Sequence, residues 1–347
     1  VTVVIVNYNS WPDVLRLVRA LARAEEIVTG LAEIVLIDNA SEGAIPAELE
    51  LPITGVHLVA RPENDGFAAG VNAGWHAARG RWLLVLNPDI VVAPGWLAAV
   101  VARIQRIEDE AEARAAAPPG IVGFALRNPD GSRQPSVGSF PSLARTLWEQ
   151  LIPRSRRKYQ ADWRTRARAV PWVTGACMLV NTQLLVLLNG MDEDFFLYYE
   201  EVALCRSAFC AGWRVEFDPS VAVTHLRPLQ NRALSPKMRV ITRHSKLLYF
   251  RKHLPHWQFL GLSWIISLEA LILGRRSLGM GRVEDARSWR TIHELARAFR
   301  AGVAPRGRDV RILAEAVTRP AASSEVESRH APSARGSARK RRGARTP

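Results

Sequence analysis

Cysteine is scarce in this chain: Cys177, Cys205 and Cys210 are the only three, they form no Cys-x-x-Cys pair, and the count is odd. A disulfide framework and a thiolate zinc site are therefore not expected, and reduced, partly buried thiols are. Two phosphate-binding signatures are missing as well. No strand runs into Gly-x-Gly-x-x-Gly, and no Gly-Lys-Ser/Thr closes a Walker loop. The longest apolar stretch, Trp257 to Leu273, has about 17 residues and contains Glu269, slightly short for a bilayer span. The basic tail from Arg319 to Pro347 has no aromatic side chain, which argues against nucleic acid as a partner.

At 347 residues and 48% hydrophobic, the chain can bury the core of one large α/β domain with additions. Its formal charge of +14 is local: Arg154–Arg168 and Arg319–Pro347 carry +6 each, so the rest is nearly neutral. Clusters of that kind suit phosphates or an anionic lipid surface; a solvated, disordered run is the competing reading for the tail. The first strand starts at residue 1, so no secretory signal is expected and the chain is placed in the cytoplasm.

Residues 1–105 alternate between the two periodicities. Strands are expected near 2–7, 33–38, 56–60 and 82–87, with helices near 12–24, 67–79 and 94–107, the pattern of a parallel, doubly wound sheet. A fifth strand is expected at Ile121–Leu126, followed by an Asn128-Pro129-Asp130-Gly131 turn. Residues 139–170 have weak periodicity and many arginines and read as a mobile excursion over the sheet. Structure resumes at Trp172–Val180, with a helix near 199–211 and two strands, near 214–217 and at Val221–Thr224, so the second half is mixed rather than parallel.

Three apolar strands end in polar side chains: Val1–Val6 at Asn7 and Asn9, Ile34–Ile37 at Asp38, and Trp82–Leu86 at Asn87-Pro88-Asp89. Carboxyl ends of strands in open α/β sheets are where ligands bind, which makes Asp89 a candidate metal ligand. Asn-Pro-Asp is also ordinary turn chemistry. Downstream, Asn64-Asp65-Gly66-Phe67 opens a helix on which Gly66, Gly70 and Gly74 share one stripe. Tight helix-to-sheet packing explains the glycines, whereas Asn64 and Asn72 point to polar ligand contact.

A second acidic cluster, Asp192 to Glu201, interleaves carboxylates with Phe195, Phe196, Tyr198 and Tyr199. Such carboxylates serve as a general base or as acceptors for a polyol, or else as favourable charge at a helix N-terminus. His225, at the end of its strand, is a second candidate metal ligand. Beyond it, helices near 237–253 and 257–273 are expected. The second, with tryptophans and flanking Arg275 and Arg276, reads as a membrane-interfacial helix or as one packed on the domain or a partner copy.

Together these residues resemble the inverting family 2 glycosyltransferases of GT-A fold. The resemblance covers about residues 1–230 and rests on Val3 to Asn9, Ile37-Asp38-Asn39-Ala40-Ser41, Asn64 to Gly74, and Leu86-Asn87-Pro88-Asp89, which looks like the D-x-D position. Arg127 to Ser132, Pro135-Ser136 and Phe195 to Glu201 are most similar to rhamnosyltransferases acting on polyprenyl-diphosphate-linked sugars. The resemblance implies a GT-A domain with a Rossmann-like mixed sheet over 1–230; beyond it the residue pattern gives a helical region over 231–320, and composition a basic disordered tail over 321–347. It further implies a nucleotide-sugar site of Asn7, Asn9, Asp38, Asn64, Gly66, Asn72, Asn87 and Asp89. Mg²⁺ or Mn²⁺ would sit on Asp89 and His225, and Glu201, Glu200 or Asp194 would supply the base.

Two departures stand out. Relatives usually read Tyr-Glu-Asp-Val-Asp-Leu-Cys where this chain has Tyr199-Glu200-Glu201-Val202-Ala203-Leu204-Cys205, and their small stretch after the histidine is here Leu226-Arg227-Pro228-Leu229. The expectation is an enzyme on the inner face of the cell membrane that moves a sugar, with L-rhamnose from dTDP-rhamnose leading, to a lipid-linked saccharide acceptor in envelope polysaccharide synthesis. A non-catalytic sugar-nucleotide-binding or scaffold protein is the alternative. A nucleotidyltransferase is disfavoured because no Gly-rich, basic phosphate loop follows the first strand, and a homo-oligomer stays open.

Overall fold

The structure, a computed structural model, describes residues 1–150, 167–227 and 233–318. Strand β1 (Thr2–Asn7) is buried along its whole length because both of its faces are covered. Val3 and Ile5 pack with Val14 and Leu17 of α1 (Trp11–Leu21), while Val4 and Val6 pack with Ala68 and Val71 of the glycine-rich helix Phe67–Ala77 on the other side. Two short helices, α2 (Glu25–Val28) and α3 (Ala47–Glu50), flank β2 (Glu33–Asp38); β3 (Val56–Ala60), α4 (Phe67–Ala77), β4 (Trp82–Leu86), β5 (Ile90–Val91) and α5 (Trp96–Ala113) complete the first half.

The second half contributes β6 (Ile121–Arg127), β7 (Arg133–Gln134), β8 (Val137–Gly138), α6 (Leu143–Gln150), β9 (Arg168–Ala169), β10 (Trp172–Val173), β11 (Cys177–Asn181), α7 (Thr182–Leu188), α8 (Glu200–Cys210) and β12 (Val215–His225). The main sheet runs β3-β2-β1-β4-β11-β6-β12-β5. Its first four strands are parallel, β11 is antiparallel to both β4 and β6, and β12 is parallel to β6. The sheet is therefore mixed, as expected, and β1, β2, β4, β6 and β12 all end at one edge.

Two expectations change. The strands near 214–217 and 221–224 are a single strand, β12, whose register with β6 shifts between Asp218 and Ala222, where Pro219 cannot donate to the ladder. Asp218 is held there by a buried ion pair with Arg103 of α5. The stretch 139–170 is not simply an excursion. Residues 143–150 form α6, residues 168–169 form β9 on β12, and 151–166 lie outside the described residues, as does the tail from 319.

Four helices follow: α9 (Pro236–His253), α10 (His256–Gly279), α11 (Val283–Arg300) and α12 (Gly307–Ala316). Ser235 caps α9 by accepting from the Met238 N–H at 3.2 Å, with Pro236 in the first turn. These helices share one apolar core with the sheet, in which Val240, Leu247, Phe250, Phe259 and Phe299 join Phe195, Phe196 and Val202. The Ser245 hydroxyl also donates to the Leu197 carbonyl at 2.8 Å, so α9 braces the segment that leads into α8.

Candidate active site

The polar ends of β1 and β2 meet. Asn7 is fully buried, and its amide donates to Asp38 Oδ1 at 3.0 Å and to Ser41 Oγ at 2.9 Å. Ser41 Oγ donates in turn to Asp38 at 2.5 Å. Exposed Asn9, at φ +56°, accepts from the Glu42 N–H at 2.7 Å and so ties the first loop to the second. The result is a buried carboxylate fixed by an amide and a hydroxyl.

Asn64 and Asn72 both hydrogen-bond within the protein. Asn64 Oδ1 accepts from Asn39 Nδ2 at 2.9 Å and from the Gly66 N–H at 3.0 Å, and both asparagines are buried. Asn72 donates to the Met191 carbonyl at 2.9 Å and to Glu193 at 2.7 Å while accepting from the Met191 N–H at 2.8 Å. It clamps the loop before the acidic cluster. Gly70 and Gly74 are packing residues: a Cβ on Gly70 would stand 2.6 Å from Val6, and one on Gly74 would collide with Val4.

Gly66 has a separate task. At φ +109° it lets the Phe196 backbone approach so closely that an added Cβ would stand 2.8 Å from the Phe196 Cα, and the next N–H, of Phe67, donates to the Phe196 carbonyl at 2.8 Å. The Asn64–Phe67 segment is thereby bonded to the acidic cluster.

That cluster turns sharply into α8. Tyr198 and Tyr199 both adopt left-handed backbone, at φ +69° and +71°, a conformation costing each non-glycine residue about 1–3 kcal/mol. Glu200 and Glu201 follow at once, both buried in the first turn of α8. Glu201 lies beside Gly175, where a Cβ would be 3.5 Å from the Glu201 Cβ, and the neighbouring Ala176 carbonyl accepts from the Asn87 N–H at 3.0 Å. Ala203 is buried and lines a cavity of about 570 Å³ with Asn72 and Met191. Asp194 is drawn the other way, paired with Lys252 at 2.6 Å and 3.6 Å from Arg306.

Asp89 and His225 come together because β5 pairs with the end of β12, setting His225 opposite Ile90. His225 Nε2 lies 3.3 Å from Asp89 Oδ1, and the Arg227 N–H donates to Asp89 Oδ2 at 3.1 Å. Burial pushes the Asp89 carboxyl up, but the His225 hydrogen bond and charge and the Arg227 N–H outweigh it and hold the group below the usual carboxylate range. The other ring nitrogen, His225 Nδ1, is 2.9 Å from the side-chain amide nitrogen of Gln134.

Gln134 escaped sequence reasoning although a signal existed. The Asn-Pro-Asp-Gly turn closes a β6–β7 hairpin that sets Gln134 opposite Leu126, at the edge where His225 ends its strand. Asp13 was missed for lack of any motif. Among the described residues no group of three or more His, Cys, Asp or Glu side chains gathers to hold a metal by itself. Asp89 and His225, the two candidate ligands, do stand side by side, 3.3 Å apart.

Known proteins share sequence with this chain. An N-acetylglucosaminyl-diphospho-decaprenol L-rhamnosyltransferase of Mycobacterium tuberculosis is 27% identical over 303 residues, covering 81% of this chain and 94% of the relative. Rhamnosyltransferase WbbL of Escherichia coli K12 is 25% identical over 174 residues, half of this chain and 63% of the relative. Among solved structures, S. aureus TarS bound to UDP aligns with a TM-score of 0.49 at 14% identity, covering 91% of this chain and 90% of the other. The sequence model of glycosyl transferase family 2 matches residues 2–185, more than half of the chain. This chain therefore belongs to glycosyl transferase family 2 and is a glycosyltransferase, built on a mixed sheet with a C-terminal helical extension.

Proposed function

We propose that the enzyme transfers L-rhamnose from dTDP-rhamnose, with inversion, to a saccharide carried on a polyprenyl diphosphate during envelope polysaccharide synthesis. The observation that carries this reading is the alignment with the mycobacterial L-rhamnosyltransferase along nearly all of that relative's length, including the helices beyond the family match. Asp38, oriented by Asn7 and Ser41, binds the nucleoside. Asp89 and His225 hold Mg²⁺ or Mn²⁺.

The donor set fits a divalent ion. As the Gln134 amide stands, its nitrogen faces His225 Nδ1 and its buried oxygen has no hydrogen-bond partner. Turned over, the amide accepts from Nδ1–H and leaves the Nε2 lone pair free beside Asp89, the arrangement of a metal-ligating histidine. When bound, the ion offsets charge on the departing nucleoside diphosphate. Glu201 removes the acceptor hydroxyl proton as that oxygen bonds to the anomeric carbon and the diphosphate leaves from the opposite face. Glu201 takes this role because it stands where the family's Asp base is expected, in the first turn of α8.

The acceptor class implies a membrane, and one face of α10 suits its surface. Phe259, Leu262, Ile266 and Ala270 point into the protein, and Glu269 turns inward to pair with Arg243 at 2.6 Å. Trp257, Trp264, Leu268, Leu271 and Ile272 stand exposed on the outside, with Leu147 and Trp148 of the adjoining α6 also exposed and Arg275 and Arg276 at the far end. By length and composition α10 is long and apolar enough to cross a bilayer, but the contacts of its inner face favour lying on the surface.

Transfer assays with dTDP-rhamnose, UDP-glucose, UDP-N-acetylglucosamine and GDP-mannose on a polyprenyl-diphosphate-linked N-acetylglucosamine test the reading. Product from dTDP-rhamnose that disappears in Asp89→Asn is expected. Donor binding without transfer from any of the four overturns it in favour of a non-catalytic role.

A further inference from the structure

Arg227 occupies a position that the function has not yet absorbed. It follows His225 by two residues, replaces the small residues its relatives carry there, and touches both halves of the crevice. Its backbone N–H donates to Asp89 Oδ2 at 3.1 Å and its Nε lies 3.7 Å from the same oxygen. Its Nη2 is ion-paired with Asp13, in the first turn of α1, just past the loop that carries Asn7 and Asn9. The guanidinium thus bridges the nucleoside side of the crevice to the Asp89 side.

A diphosphate joining a nucleoside to a sugar has to cross that same interval. Asp13 and Asp89 are anchored, with side chains 9% and 13% exposed, whereas the Arg227 side chain is 46% exposed. Both oxygens of Asp89 are already engaged, Oδ1 by His225 and Oδ2 by Arg227. A divalent ion approaching this carboxylate meets a fixed positive charge that repels it, and a diphosphate arriving with the ion offers that charge a better partner. Guanidinium pairs with phosphate oxygens through two parallel N–H bonds.

We propose that Arg227 is a resident cation of the donor site: it is held between Asp13 and Asp89 before the donor binds, and moves to the donor's diphosphate when a divalent ion takes Asp89. This rests on the donor site described under the proposed function. It makes Arg227 a positioning residue that couples metal entry to nucleotide entry, so that neither binds well alone.

Arg227→Gln removes the charge and keeps much of the length. Mn²⁺ affinity without nucleotide, read by electron paramagnetic resonance, is expected to rise about 10-fold in the variant because the repulsion is gone. The affinity of dTDP, UDP or GDP at saturating Mn²⁺, read by calorimetry, is expected to fall at least about 10-fold because the charge-assisted bonds to phosphate are lost. Arg227→Lys, which retains charge but not the fork, should fall between. A thermal melt unchanged from wild type confirms that the variants fold. Unchanged Mn²⁺ affinity, or tighter Mn²⁺ with unchanged nucleotide affinity, overturns the proposal by leaving Arg227 a structural clamp. Wild type binding none of the three diphosphates overturns the donor-site reading and this proposal together, whereas normal wild-type binding with an indifferent variant removes only the role of Arg227.

Discussion

Replacing Gly66 with alanine should break the joint between the nucleotide-facing half of the crevice and the acidic turn. Two costs add at this position. The backbone sits at φ +109°, where an L side chain is strained by about 1–3 kcal/mol. The new Cβ would also stand 2.8 Å from the Phe196 Cα and 2.9 Å from its carbonyl carbon, atoms of the main chain that cannot rotate aside as a side chain does. Gly95 provides the comparison, since it has φ +74° and nothing within 4 Å of an added Cβ. Gly95→Ala should therefore cost about 1 kcal/mol and Gly66→Ala about 3 kcal/mol or more. The damage should also reach the chemistry, because the 2.8 Å bond from the Phe67 N–H to Phe196 sets the path of the chain four residues before Glu200. Displacing a catalytic carboxylate by about 1 Å can cost about 10²-fold in rate. Urea unfolding and transfer rates of the two variants side by side decide it. If Gly66→Ala unfolds within about 0.5 kcal/mol of Gly95→Ala and keeps its rate, the Phe196 backbone yields freely and the joint is not rigid.

Glu201→Gln is expected to leave nucleotide affinity intact and lower turnover about 10²-fold or more, while Glu201→Asp retains substantial activity; full transfer by the Gln variant would send the search for a base to Glu200. His244 supplies a pH test: burial, only partly offset by its bond to the Pro305 carbonyl and the charge of Asp194, pushes its pKa down to about 4. The unfolded chain takes up that proton near 6.5 and the folded one only near 4, so stability should fall by up to about 3 kcal/mol as pH drops through that window and level off below it. His244→Gln should flatten that slope in urea titrations at pH 7.5, 5.5 and 4, and an identical slope would refute the assignment. Trp264→Glu with Leu268→Glu, both on the exposed face of α10, should release the protein from anionic vesicles without shifting its melt; unchanged sedimentation would mean that another surface makes the contact.

What the sequence determined by itself was whatever local periodicity and strand ends encode. The apolar runs 2–7, 33–38 and 82–86 read as buried strands, and in a parallel sheet their polar ends, Asn7, Asp38 and Asp89, had to share one edge. Tertiary structure decided what no spacing encodes. Whether Asn72 meets a ligand or the Met191 backbone depends on a contact 119 residues away. That β12 is one bulged strand follows from its register against β6, not from the gap between its two apolar pieces. The placing of Gln134 behind His225, and of Arg227 between Asp13 and Asp89, came from strands and helices distant in the chain. Alternation fixes which face a residue lies on; which partner it meets there is set only when the sheet is assembled, because register and crossover paths are properties of the whole core.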